Sequence, residues 1–281
     1  MRATLLTMPT PRTVVLIPYY NNMSSLLISL SSVLPSETCD VLIVDDGSPT
    51  EPVDELSARQ AWRATGELHV LRQATNGGIE RALNAGLDWI SGRDYTYIAR
   101  LDCGDRNVGD RIATQESYLD RHPNVLLVGG SALFVDQAGA PQFTLRLPTT
   151  QAGIASMMRK NSAFMHPSVM FRVAALEVVG HYPYGYPAAE DYAYFWRFLE
   201  AGQVANLPDV LIEYELDPGG ISLSKRRTQL ASRLKIQREH DDGSWPARAG
   251  IARTLILLRA PYGITFKIKK ALHSRRQRRA D

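Results

Sequence analysis

Short apolar runs alternate with amphipathic stretches through the first 123 residues. TVVLIP (13–18) and DVLIVD (40–45) are near-continuous apolar segments of the length adopted by strands buried on both faces. Between them, Asn21 and Asn22 offer caps to a helix predicted over 23–34. A third strand is predicted over 67–72. Asn76-Gly77-Gly78 then opens a helix running to about Ile90, with Ile79, Leu83, Leu87 and Ile90 at helical spacing. A fourth strand over 95–101 and a helix over 110–121 complete the series. Repeated units of this length predict a mainly parallel α/β sheet flanked by helices, with right-handed crossovers.

The regularity breaks from Asn124. Residues 125–135 are apolar around Gly129 and Gly130, and 142–147 could pair with them antiparallel. The pattern predicts a strand over 168–172, a helix over 189–201 and a strand over 209–215, closed by the turn residues Asp217-Pro218-Gly219-Gly220. A polar helix over 224–240 and an amphipathic segment over 245–273 follow. The chain therefore divides into a main domain, 1–222, with halves at 12–123 and 124–222, and a basic helical extension, 223–281.

Composition alters this picture little. At 281 residues, with 44% hydrophobic and 22% charged residues, the chain suits one large α/β domain with an extension, or two small domains. A net charge of +3 is too small to imply a nucleic-acid partner. The charge is unevenly placed, however: Lys267, Lys269, Lys270, Arg275, Arg276, Arg278 and Arg279 oppose only Asp281 after Arg259. Leu255, Ile256, Leu257, Leu258, Ile264, Phe266, Ile268 and Leu272 interleave with them. This 255–279 tail either lies on an anionic membrane, each basic residue adding about 1 kcal/mol, or packs on the domain with a solvated end. Two cysteines, Cys39 and Cys103, give no disulfide framework. The first ten residues lack an apolar core, and no stretch reaches the roughly eighteen apolar residues of a membrane span. The expectation is a cytoplasmic protein, with peripheral contact on the cytoplasmic face of the inner membrane as the tail's alternative.

Three acidic clusters sit at predicted element ends: Asp45-Asp46 before Gly47-Ser48, Asp102 and Asp105 after the fourth strand, and Glu190-Asp191 at a helix start. In an open α/β sheet, ligands bind in the crevice beyond the carboxyl ends of the strands. Three such clusters suggest an enzyme for a phosphorylated, hydroxyl-rich substrate. Asp46 could accept a hydrogen bond from a nucleobase N–H with Asp45 orienting it, or the pair could form an Asx-turn. Arg81 either faces that pocket or lies on a solvated helix face.

With these elements in place the chain resembles the inverting, nucleotide-sugar-dependent glycosyltransferases of family 2, which have the GT-A fold. Four blocks carry the resemblance in order: VVLIPYYN (14–21) with VLIVDDGS (41–48); NGGIERALNAGL (76–87); YIARLDCGD (97–105); and HPSVMFR (166–172) with EDYAYFWRFLEAG (190–202). It implies a nucleotide-sugar-binding half at 12–123 and an acceptor-binding half at 124–222. The reaction implied is transfer of a sugar from a nucleotide-diphosphate donor, a UDP-sugar, to a hydroxyl of a saccharide or lipid-linked glycan in bacterial-type surface polysaccharide synthesis. Pro18, Tyr20, Asp45, Asp46, Asn76, Gly77, Arg81 and Asn84 are then expected around the nucleotide, and Arg100 and Asp102 at the diphosphate. His166 lies in a block that lines the acceptor cleft, Trp196 after the Glu-Asp motif is a further substrate-binding residue, and Asp191, with Glu190 beside it, is the general base.

Asp102 and Asp105 occupy the family's acidic metal motif, usually Asp-x-Asp-Asp, but Gly104 stands where the metal-binding aspartate is usual. A Mg²⁺ or Mn²⁺ ion would then need Asp102, Asp105 and Asp217, the last standing where a histidine is usual in a Tyr-Arg-x-His-Pro loop. Asp217 is equally readable as a turn residue before proline. Two rivals stay open: a sugar-1-phosphate nucleotidyltransferase, although Pro18-Tyr19-Tyr20-Asn21 is not a basic, glycine-rich phosphate loop, and an inactive nucleotide-sugar binder, which Gly104 keeps in play.

Overall fold

The computed structural model describes residues 11–216 and 225–260. Asp217 and the tail beyond 260 lie outside the described residues. Four parallel strands, β1 (Thr13–Tyr19), β2 (Asp40–Asp45), β3 (Leu68–Arg72) and β4 (Tyr97–Arg100), make the first half of a nine-stranded sheet in the order β3-β2-β1-β4. Val14 to Ile17 and Val41 to Val44 have no exposed surface, which is why these runs carry no polar alternation. Helix α1 (Met23–Ser31) is capped by the Asn22 side chain, as expected, and stops short of the predicted end. Pro35 disfavours helix in the residue before it.

Helix α2 (Glu55–Ala61) was not legible. Its sequence, ELSARQA, buries only Ala58, and Asp54 caps it. Helices α3 (Ile79–Ser91) and α4 (Arg111–Arg121) match their predicted spans closely. The chain passes outward from β1 to β2 and β3, then returns to β4 on the other side of β1. The carboxyl ends of β1 and β4 therefore border a topological switch point, the place where open α/β sheets bind ligands.

The second half is mixed. Strand β6 (Val125–Val135) pairs antiparallel with β7 (Pro141–Leu145) and with the short β8 (Met170–Arg172), which joins it to β4. Helices α5 (Gln151–Met158) and α6 (Leu176–Val179), neither of them predicted, flank it. Helix α7 (Glu190–Ala201) leads into β9 (Gln203–Glu215), which runs parallel to β6 and starts well before the predicted strand. Its register shifts between Leu207 and Val210, where Pro208 sits in a bulge, a position that tolerates a missing donor. A two-residue strand, β5 (Arg106–Asn107), closes the edge against β9. In the extension, α8 (Arg226–Glu239) and α9 (Trp245–Arg259) are helical, and His240 after α8 lies over the Trp196 ring. Among the described residues no helix is long and apolar enough to cross a membrane.

Candidate active site

The first acidic cluster is committed to backbone amides. Asp45, buried at the end of β2, accepts from Ser48 N at 3.0 Å and Val53 N at 3.1 Å. Asp46 reaches to the next loop and accepts from Gly77 N at 2.8 Å and Gly78 N at 2.9 Å. The turn after β2 is thus fastened to the loop before α3. Gly47, at φ 64°, makes the approach possible, because a Cβ there would stand 2.7 Å from Asn76 N. Asn76 is exposed beside this junction, and the Arg81 chain folds against Gly77. Pro18 lies at the end of β1, and Tyr20, beyond it, is 47% exposed, a large ring free at the crevice mouth. Asn84 does not face that pocket: its amide clamps the Tyr182 backbone, accepting from Tyr182 N at 2.7 Å and donating to Tyr182 O at 3.0 Å.

Arg100 organises the second cluster from beneath. Its side chain is fully buried and donates to Leu16 O at 2.6 Å, Leu101 O at 3.1 Å and His166 Nε2 at 3.2 Å, and it pairs with Asp102. Because an arginine Nε can only donate, His166 Nε2 accepts, which puts the ring proton on Nδ1. Tyr182 Oη meets the same Nε2 at 2.8 Å. Burial, then the Arg100 charge, pushes His166 down to about 3, so it is neutral. Burial alone would raise Asp102, but Arg100 outweighs it and holds the carboxyl below the ordinary range. Helix α1 fastens the following loop: Ser29 Oγ lies 2.9 Å from both Asp102 O and Asp105 O, its one proton serving either, and accepts from Gly104 N. Asp105 accepts from Glu215 N at 3.2 Å through Oδ1, while its buried Oδ2 has no partner. Burial, then the nearby Asp102 charge, raises Asp105 well above the usual carboxylate range.

The third cluster opens α7. Asp191 accepts from Tyr192 N at 2.7 Å. Burial raises Asp191 to about 6; the Tyr192 amide opposes the shift, and Asp102 adds to it. Glu190 is pushed higher, first by burial and then by Asp191, and its Oε2 has no partner. Asp102 and Glu80, in the first turn of α3, also act on Glu190. Such influence falls with distance. The start of α3, the end of β4 and the start of α7 are therefore neighbours, and the Asp46 junction adjoins them through the loop that opens α3.

Trp196 is not brought to it. Five residues along α7 from Asp191 is about 140° round the helix, and its ring stacks on His240 with centroids 4.2 Å apart. Of the tyrosines around the start of α7, Tyr182 and Tyr192 are buried, Tyr186 donates to Glu239, and Tyr184 is exposed. Glu80, Ser29 and Glu215 were not singled out from the sequence. A first-turn acid, a helix serine and a strand-end glutamate carry no signal until the fold places them.

A parallel half with acids at its switch point, joined to a mixed half that delivers a carboxylate pair, defines the GT-A class of nucleotide-sugar transferase folds. The profile of Glycosyl transferase family 2 matches residues 14–180, and the chain belongs to that family. Amylovoran biosynthesis glycosyltransferase AmsE of Erwinia amylovora is 31% identical over 189 residues, 67% of this chain and 68% of AmsE. Among solved structures, S. aureus TarS 1–349 in complex with UDP-GlcNAc matches with a TM-score of 0.62 at 19% identity, over 87% of this chain and 71% of that one. This chain spans 41% of a longer TarS chain. Mannosyltransferase PcManGT from Pyrobaculum calidifontis, in complex with GDP-Man and Mn²⁺, matches with a TM-score of 0.59 at 17% identity, over 89% of this chain and 70% of that one. At these identities the structures speak for the fold. The family match makes the chain a transferase and sets the nucleotidyltransferase rival aside.

Proposed function

We propose that the chain transfers a sugar, with inversion, from a nucleotide-diphosphate donor to a hydroxyl of a saccharide or lipid-linked glycan, with a UDP-sugar as first candidate. One observation carries this: Asp102 at the end of β4 and Asp191 at the start of α7 lie close enough for their charges to interact. Their nearness supports a diphosphate-side acid and an acceptor-side base serving one bound donor. The nucleobase would lie against Pro18 and Tyr20 over the Asp46 junction, and the diphosphate would lie near Asp102. Asp191 takes the acceptor hydroxyl proton as its oxygen attacks the anomeric carbon opposite the leaving diphosphate. Catalysis rests on this positioning and on stabilising the leaving charge. Arg100, with its donors spent on carbonyls, His166 and Asp102, is a positioning residue that acts through Asp102.

The residues also suit a divalent cation. Asp102 and Asp105 offer hard oxygen donors, and the unpartnered Asp105 Oδ2 is an atom that a cation would satisfy. Mg²⁺ or Mn²⁺ would supply positive charge to the departing diphosphate; PcManGT is a fold neighbour solved with Mn²⁺. AmsE, named for amylovoran biosynthesis, supports a saccharide product. Polyprenol monophosphomannose synthase of Mycolicibacterium smegmatis, 30% identical over 108 residues, supports a lipid-linked one. The 223–281 extension would then carry the membrane contact. In its described part Trp245 is 80% and Ile256 66% exposed, each three residues from an arginine of the same helix, Arg248 and Arg253. A thermal-shift screen of nucleotide sugars with Mn²⁺ tests the donor. UDP-sugars are expected to raise the melting temperature, as any ligand of the folded state does. No shift with any nucleotide would contradict the reading.

A further inference from the structure

Where the chain lacks an acidic side chain, a different strand delivers one. Gly104 adopts φ 98°, and a Cβ built on it would stand 3.8 Å from Ser25 Oγ and 4.0 Å from Oε2 of Glu215. Glu215 thus presents a carboxylate oxygen in the volume that an aspartate at 104 would explore. Its position is well determined. Glu215 ends β9 opposite Val135 of β6, β5 pairs with the same strand at Glu213, and Glu215 N donates to Asp105 Oδ1 at 3.2 Å. Asp105 is 4% exposed and its other oxygen is buried without a partner. Arg100 neutralises Asp102, but among the described residues no salt bridge reaches Asp105 or Glu215. Two acidic side chains brought to one loop, one of them with an orphaned buried oxygen, offer hard oxygen donors that a cation would satisfy.

We propose that Glu215 supplies the oxygen donor that Gly104 removes, forming with Asp105, beside the Arg100-paired Asp102, a site for a divalent cation bound together with a nucleoside diphosphate. Among the described residues no three acidic, histidine or cysteine side chains already converge on one cation position. The phosphate oxygens therefore complete the shell, as small hard cations commonly require. The absence of a side chain at 104 leaves room for the glutamate, whose approach a further carboxylate would oppose. This assignment deepens the transferase reading and depends on it.

The test is Mn²⁺ titration of the full chain with and without UDP, followed by the EPR signal of free Mn²⁺, in wild type, Glu215→Ala and Glu215→Gln. With UDP present, Glu215→Ala is expected to weaken Mn²⁺ binding by about tenfold or more, the scale seen when metal-site partners are removed. Glu215→Gln, which keeps the side-chain length and the backbone bond to Asp105, is expected to weaken Mn²⁺ in the same direction if the alanine variant folds poorly. Wild-type Mn²⁺ affinity in both Glu215 variants, with UDP binding and sugar transfer intact, would overturn this proposal and leave the transferase reading standing. A wild type that binds no UDP and transfers no sugar would overturn both.

Discussion

Replacing Asp191 by asparagine is expected to lower kcat by about 10²–10⁴-fold, the usual worth of a positioned general base, with UDP affinity unchanged. Asparagine keeps the size of the side chain and an oxygen to accept from Tyr192 N, so the contact that starts α7 survives. A residue that merely capped the helix would tolerate the change with little loss of stability or rate, because asparagine caps about as well as aspartate. The fold also raises the basicity of Asp191. Burial lifts its carboxyl to about 6, against the pull of the Tyr192 amide. A base must have lost its proton to work, so the wild-type rate is expected to rise as pH increases through about 6 and to be lost below it. Steady-state kcat against pH, with UDP titrations of both proteins, checks this. An asparagine variant with near-normal kcat would remove Asp191 from the chemistry.

Arg100→Met is expected to cost about 3–5 kcal/mol of folding stability, the penalty for breaking one side of a buried ion pair. The methionine would leave Asp102 without its cation and Leu101 O without its side-chain donor, while Leu16 O would keep only Leu101 N and His166 Nε2 only Tyr182 Oη. Arg100→Lys keeps a charge but not the planar fork that serves these acceptors together, so a smaller loss is expected. Urea unfolding midpoints give the comparison. A methionine variant within about 0.5 kcal/mol of wild type, the range of an ordinary surface change, would show that the network does not hold the loop.

The chain discloses its strands where burial is complete. Val14–Ile17 and Val41–Val44 must be apolar on both faces, so β1 and β2 are legible as runs. The first part of β9 is not, because QVANLPD carries polar residues and a proline, and only pairing with β6 makes it a strand. Helix α2 is hidden for the opposite reason: with only Ala58 buried, it has no stripe to detect. At the site, the acids announce themselves by clustering at strand ends, but their partners do not. Nothing local shows that Asp46 will grip amides at 77 and 78, or that an arginine interrupting an apolar strand will be wholly buried. Trp196 was misdirected by its neighbourhood in sequence, since helical rotation from Asp191 turns it toward His240.

The central claim is that the nucleotide and the attacking hydroxyl meet in a single crevice, and the position of UDP in crystals of this protein tests it most directly. The account predicts uracil against Tyr20 above the Asp46 junction, with the diphosphate beside Asp102 and its sugar-bearing end toward Asp191. UDP bound elsewhere, for instance in the groove between α8 and α9 lined by Leu234, Lys235 and Leu258, would contradict it.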